Sequence, residues 1–238
     1  MPSFKKETVG AATVWTLRNT KGNELKVTNA GARLVSMRFR DKSFTNRFMI
    51  KDDAEAGIVF VDGGKDFANI LWQAEETIEG LKLYAQVGDK SAVITYSVSN
   101  DNEISIKYEA AGVDDISTQV VFSAEALPDA HIRACQKDAD WEKIADAKTY
   151  PVTQPAEVEM ELGMFGYDPG CPINYLDAGL KNAANVRTGD WGVEVIVYAT
   201  QDAIHAQTVD GGFALKTSGS KAADGKICGQ TVYMIKSR

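Results

Sequence analysis

Histidine is nearly missing from this sequence. Two in 238 residues, His131 and His205, leave no His-rich metal cluster and no HExxH zinc signature. Cysteine is almost as sparse. Cys135, Cys171 and Cys228 are an odd number, lie far apart and form no CxxC pair, which argues against a disulfide framework and a zinc knuckle and points to a cytoplasmic setting. No run approaches the roughly 18 apolar residues of a membrane helix. Met1-Pro2-Ser3-Phe4-Lys5-Lys6 is followed by no apolar stretch of the kind a signal peptide carries. The nucleophile elbow GxSxG and the phosphate loop GxxxxGK[ST] are both absent. Gly163, Gly166 and Gly170 do not join a strand to a helix, so they make no dinucleotide fingerprint. No metal or other cofactor is implied. With 33 acids against 26 Lys and Arg, a net charge of −7 argues against nucleic acid as the partner.

What the chain does have is alternation. Leu81, Leu83, Ala85 and Val87 alternate with Lys82, Tyr84 and Gln86; Ile94, Tyr96 and Val98 with Thr95 and Ser97; Ile104, Ile106, Tyr108 and Ala110 with Ser105, Lys107 and Glu109. A period of two buries one face and wets the other, which a helix cannot do. Asn100-Asp101-Asn102 supplies the backbone tolerance of a tight turn, so Leu81–Ala110 reads as an antiparallel meander. Glu24–Thr28, Leu34–Phe39, Thr118–Ser123, His131–Cys135, Gly192–Tyr198 and Thr231–Ile235 read as further strands between turn-forming clusters. Val193, Val195, Ile196 and Val197 are nearly continuous, as in a strand covered on both faces. The helical signal is thin: Asp138 to Ala147 could make two turns, with Trp141, Ile144 and Ala145 as a short apolar stripe. No Pro- or Ser-rich linker and no fixed-period repeat divides the chain, so residues 1–238 read as one all-β domain.

Four segments, in order, resemble the galactose mutarotase (aldose 1-epimerase) family. Leu25–Ser36 with Asp41-Lys42 is similar to the family's opening strand, its Gly-Ala bend at Gly31-Ala32 and the strand behind it. Gly63-Gly64-Lys65-Asp66-Phe67 with Trp72 resembles the His-Gly-Gly…Gly-Phe-Asp…Trp segment that lines the family's sugar site. Ile94–Ala110 and Ser117–Leu127 are similar to the central hairpin and to the strand that delivers a catalytic histidine. Gly166-Tyr167-Asp168, then Trp191–Thr208, resembles the Gly-Tyr-Asp-His loop and the strands beyond it. The resemblance implies a single large antiparallel β-sandwich, the galactose mutarotase-like supersandwich, and a small-molecule sugar as partner.

It also implies where a site would lie. The family's site histidine aligns with Asp62, and the histidine that protonates the ring oxygen aligns with Glu125. Asp168 stands at the sugar-binding aspartate, followed by Pro169 in place of histidine, and Asn46-Arg47 echoes the arginine-rich segment. No Glu occurs from Val195 to Arg238, where the family keeps its catalytic base. Interconverting anomers needs a base on the anomeric hydroxyl and an acid at the ring oxygen; the ring opens, the aldehyde rotates, and closure reverses the roles. Each group contributes roughly 10²–10⁴-fold. On this resemblance Glu125 and Asp168 are the catalytic candidates, and Asp62, Trp72, Asp168 and Arg47 the substrate-binding ones. The residues also admit plainer roles: Asp168 and Asp62 as turn formers, Glu125 as a solvated strand-end charge, Trp72 as core, and Arg47 as an exposed charge. Two functions follow: an epimerase with a rebuilt acid/base pair, or a non-catalytic relative that binds a carbohydrate or a protein.

Overall fold

Alternating sequence becomes antiparallel strand almost everywhere. The computed structural model describes residues 2–50, 57–59, 67–114, 116–134, 139–152, 180–218, 220–221 and 225–237. The first sheet is a meander in chain order: β1 (Ser3–Val9), β2 (Ala12–Arg18), β3 (Glu24–Thr28), β4 (Leu34–Arg40) and β5 (Asn46–Phe48). Next come β6 (Gly57–Val59), β7 (Gln73–Glu76), β8 (Leu81–Val87), β9 (Lys90–Val98), β10 (Glu103–Ala111) and β11 (Ser117–Ser123). They are followed by β12 (His131–Ala134), β13 (Glu142–Lys143), β14 (Lys148–Pro151), β15 (Lys181–Arg187) and β16 (Val193–Ala199). The remainder are β17 (Ala203–Val209), β18 (Gly212–Ser218), β19 (Ser220–Lys221) and β20 (Ile227–Ser237).

The largest sheet has the order β13-β12-β15-β16-β20-β10-β9-β8-β7, with β19 appended to β20, and a third has the order β14-β17-β18-β11-β6. Pairing is antiparallel throughout. The meander over β8, β9 and β10 stands as expected, and Asn102 takes a φ of 63° at its turn. The strand expected at Thr231–Ile235 is the middle of the longer β20.

One face of the large sheet carries Leu83, Ile94, Tyr96, Ile106, Val195 and Tyr233, all buried. The first and third sheets cover it, and apolar side chains from all three form one contiguous cluster. Against the third sheet, Phe122 meets Tyr233 edge-on at 5.5 Å, and the Thr217 hydroxyl bridges Thr118 at 3.0 Å and Thr231 at 2.8 Å. Against the first sheet, the Tyr96 phenol donates to the Ala32 carbonyl at 2.7 Å, and the Trp15 indole donates to Glu76 at 3.2 Å. Asparagines fasten the end of this contact. Asn19 donates to the Ser99 carbonyl at 2.8 Å, Asn23 donates to Asn102, and Asn100 accepts from the Thr20 backbone and hydroxyl.

One expectation fails. Among the described residues 139–147 there is no helix; the chain is extended, and β13 pairs with β12 through His131–Lys143 and Ile132–Glu142. The would-be stripe is split because its members have different partners. Ile144 enters the core, while Trp141 lies over the Arg187 guanidinium at 3.7 Å.

Gly31 makes the bend between β3 and β4. Its φ is +65°, and a Cβ there would stand 2.5 Å from the Ala68 carbonyl oxygen. The left-handed backbone alone penalises a side chain by about 1–3 kcal/mol, and the close approach adds to it. Gly31→Ala is expected to lower the unfolding free energy by at least that amount in urea titration; an unchanged midpoint would show that the bend yields freely.

Candidate functional site

The side of the large sheet turned away from the main core holds a groove of about 510 Å³. Its floor follows from strand register. Lys82 on β8 faces Thr95 on β9, Thr95 faces Lys107 on β10, and Lys107 faces Gln230 on β20. Directly opposed residues in antiparallel strands point to the same side, so these four form one row of hydrogen-bonding groups at about 4.8 Å per strand. The next row adds Val93 and Glu109, and Thr200 and Glu79 complete the rim.

Several of these groups are fixed in place. Gln230 is buried; its side-chain amide donates to the Ser105 hydroxyl at 2.9 Å, and its backbone N–H donates to the Thr200 hydroxyl at 2.9 Å. Glu109 accepts from Lys226 at 2.7 Å. Tyr108 lies against Gly229, and its hydroxyl accepts from Gln201 at 3.0 Å. A Cβ at position 229 would collide with both of those side chains, so glycine is what lets the phenol lie across β20. Hydroxyls, amides, ammonium groups and a carboxylate in one open trough suit a polyhydroxylated ligand.

Of the residues singled out by resemblance, Trp72, Arg47 and Glu125 are described, and none of the three lines this groove. Trp72 is buried, tilted against Phe67 at 5.8 Å, and its indole N–H donates to the Phe67 carbonyl at 2.9 Å. It is a core residue with no ring face left for a sugar. Asp62 and Asp168 lie outside the described residues. The segments that carry Arg47 and Glu125 are neighbours. Ile50 bridges Phe122, and the Ser123 N–H donates to the Met49 carbonyl at 3.0 Å, so the chain segments carrying Arg47 and Glu125 run side by side. Glu125 is exposed in the turn after β11.

Arg47 is anchored at one atom. Its Nε donates to Asp41 at 3.1 Å, and Asp41 also accepts the Ser43 and Thr45 N–H groups at 2.9 Å each, closing the turn from β4 to β5. Burial pushes the Asp41 carboxyl up, but the Thr45 N–H, the Arg47 guanidinium and the Ser43 N–H together hold it below the usual aspartate range. Asp190, in the turn between β15 and β16, is also held low, by the Thr188 hydroxyl first, then the Gly192 N–H and the Arg47 charge. The same turn carries Trp191. Arg187 lies over its ring at 3.0 Å and over Trp141 at 3.7 Å, and Arg133 covers Trp141 at 5.0 Å. The histidines serve locally. His131 Nδ1 is 2.8 Å from the Asp129 carbonyl oxygen, and His205 Nδ1 is 2.7 Å from the Thr149 hydroxyl. Among the described residues, no group of three or more His, Cys, Asp and Glu gathers around a metal position.

The groove was half legible in the sequence. Lys82, Thr95 and Lys107 already stood on the wet face of the predicted meander, but Gln230 reaches them from a strand more than a hundred residues away. No local spacing signals that pairing.

Asp41 gives a pH test. Its folded pKa lies below the unfolded one, so its stabilisation is complete above the ordinary aspartate range and is lost as pH falls through the folded value. Asp41→Asn should lower the melting temperature by a few degrees at pH 7, with the gap to the parent chain closing below pH ~4. A gap that persists unchanged into acid would show that the charge plays no part.

The fold has known relatives. No family model matches the sequence, and no curated protein matches it either. Solved structures do. A GalM/aldose epimerase homologue from C. elegans superimposes with a TM-score of 0.59 at 13% identity, covering 100% of this chain and 99% of that one. A putative mutarotase from Salmonella typhimurium gives 0.58 at 9% identity, covering 99% and 94%. A galactose 1-epimerase from Lactobacillus acidophilus gives 0.54 at 15% identity, covering 100% and 99%. At these identities the likeness speaks for architecture, and the all-β, multi-sheet antiparallel sandwich described above is the galactose mutarotase-like fold.

Proposed function

We propose that this chain binds a carbohydrate in the groove of the large sheet and is at most a feeble epimerase. The observation that carries the binding reading is the Lys82–Thr95–Lys107–Gln230 row. It crosses four adjacent strands, so register sets the spacing at which its side chains leave one side of the sheet, and Gln230 is fixed by its bond to Ser105. Sugar hydroxyls need such paired donors and acceptors, and ammonium groups and the Glu109 carboxylate bind them through charge-assisted hydrogen bonds.

Weak catalysis is the expectation, because Glu125 stands where the family has its ring-oxygen histidine and no Glu occurs from Val195 to Arg238. An acid that protonates a ring oxygen near neutral pH needs a raised pKa. Asp41, Asp129, Glu142 and Asp190 are all displaced downward: Asp129 by the Lys143 ammonium, Glu142 by the Lys148 ammonium, and the other two as described above. Glu109 in the groove is paired with Lys226 at 2.7 Å. Such groups serve as bases or hydrogen-bond acceptors. The second reading, aldose 1-epimerase chemistry at the rim, rests on the adjacency of the Arg47 and Glu125 segments.

Polarimetry of freshly dissolved α-galactose and α-glucose separates the two. The expected rate stays close to the spontaneous one, because replacing the family's histidine and C-terminal glutamate forfeits roughly 10²–10⁴-fold for each group. Nuclear magnetic resonance titration with the same sugars should shift the signals of Lys82, Thr95, Lys107 and Gln230. Rapid turnover abolished by Glu125→Gln would overturn this assignment in favour of the rim.

A further inference from the structure

We propose that the groove takes an extended oligosaccharide, a β-1,4-linked chain of neutral pyranoses, in preference to a single hexose. The inference rests on the groove being the sugar site and concerns the length and shape of the sugar it selects.

Length points to a chain. The polar row runs from Lys82 through Thr95 and Lys107 to Gln230. Thr200 extends it past β20: its hydroxyl accepts the Gln230 N–H at 2.9 Å, and its own N–H donates to the Gln230 carbonyl at 3.0 Å. From Lys82 to Thr200 the row covers four strand spacings, about 19 Å at about 4.8 Å each. The distance from O1 to O4 of a pyranose is little more than one such spacing. One hexose therefore engages part of the row and leaves the rest in water. The volume agrees: the groove holds about 510 Å³, within the roughly 300–1,000 Å³ of sites for drug-sized ligands, and a single hexose is smaller than those.

The cross-section points the same way. Beside the polar row, register sets Tyr84, Val93, Glu109 and Cys228 in a parallel row on the same side of the sheet. Tyr84 extends this second row beyond Val93 and is 39% exposed, although β7 and β9 flank its strand. A pyranose chain has the matching section, with hydroxyls along its edges and C–H groups on its ring faces. With one edge on Thr95 and Gln230, a ring face can lie against Val93 and the Tyr84 phenol. Charge argues for a neutral chain. Glu75 faces Lys82 across β7 on the same side, Lys226 holds Glu109 at 2.7 Å, and Glu79 and Lys107 both line the trough. Carboxylates and ammonium groups thus balance. A row laid straight across the strands suits a ribbon-like β-1,4 chain, whereas an α-1,4 chain curls away from such a floor.

The test is isothermal titration of the full chain with two β-1,4-linked series, glucose to cellotetraose and mannose to mannotetraose, and with maltotriose as the curled comparison. In at least one series the trisaccharide should bind about tenfold more tightly than its monosaccharide, equivalent to about 1.4 kcal/mol, and more tightly than maltotriose. Nuclear magnetic resonance on the parent chain should then show the trisaccharide shifting signals at both ends of the row, Lys82 and Thr200. Tyr84→Ala, checked for folding by its melting temperature, should shrink the gain from monosaccharide to trisaccharide. Equal affinity for monosaccharide and trisaccharide overturns this inference and leaves the carbohydrate reading standing. So does a gain with length that leaves the Lys82 and Thr200 signals unmoved. Tighter binding of maltotriose overturns the extended shape. Failure of every sugar to bind overturns the carbohydrate reading itself.

Discussion

The register of β20 is the constraint on which the rest of the molecule depends. It lies between β16 and β10 at the middle of the large sheet and pairs with both along most of its length. Because side chains alternate, a slip of one residue would send Tyr233 and Thr231 outward and Gln230 and Val232 inward. Two devices hold the register. Thr231 must reach the Thr217 hydroxyl across the sandwich, where a misplaced threonine would leave an unpaired hydroxyl in the core. Gly229 must lie beneath Tyr108, because only a residue without a side chain fits there. Core and groove are therefore set by one strand: the residues that seal the sandwich alternate with those that line the trough.

The two faces of the large sheet are also less distinct than a simple sandwich would have them. Leu180, Ile196, Tyr198, Val232 and Met234 form a second buried apolar cluster on the side away from the main core. It lies between the groove and the stack of Trp141, Arg187 and Trp191. β16 and the Val232–Met234 stretch of β20 are thus buried on both faces. Burying β16 twice explains its sequence, since Val193, Val195, Ile196 and Val197 leave little room for polar alternation.

Legibility in the sequence followed sequence distance. The β8–β10 meander, the Asn-rich turn and the Gly31-Ala32 bend are encoded within a few residues and were readable. Arrangements that join distant segments were not. The Asn19 and Asn23 clasp looks like ordinary turn composition until Ser99 and Asn102 are placed beside it. Trp141 and Ile144 look like a helical stripe until Arg187 and the core claim one each. The resemblance that identified the fold says less about side-chain environment, for the same reason. Trp72 keeps a place in the pattern and spends its indole on Phe67, while the polar row joins Thr95 and Lys107 of the central hairpin to Lys82 and Gln230 outside the four segments.

The central position of β20 has a kinetic consequence. Glu109 and its partner Lys226 are 117 residues apart, so β10 can pair with β9 early but must wait for closure of a very long loop before its other edge is filled. During that wait β10 is an open strand with Ile104, Ile106 and Tyr108 on one face, the kind of edge that recruits another chain. Lys107 and Glu109 punctuate that strand with opposite charges, which is how exposed edges are kept from pairing indiscriminately. The side chains that later line the groove would thus first act as gatekeepers, guarding an unfinished sheet before they meet any ligand.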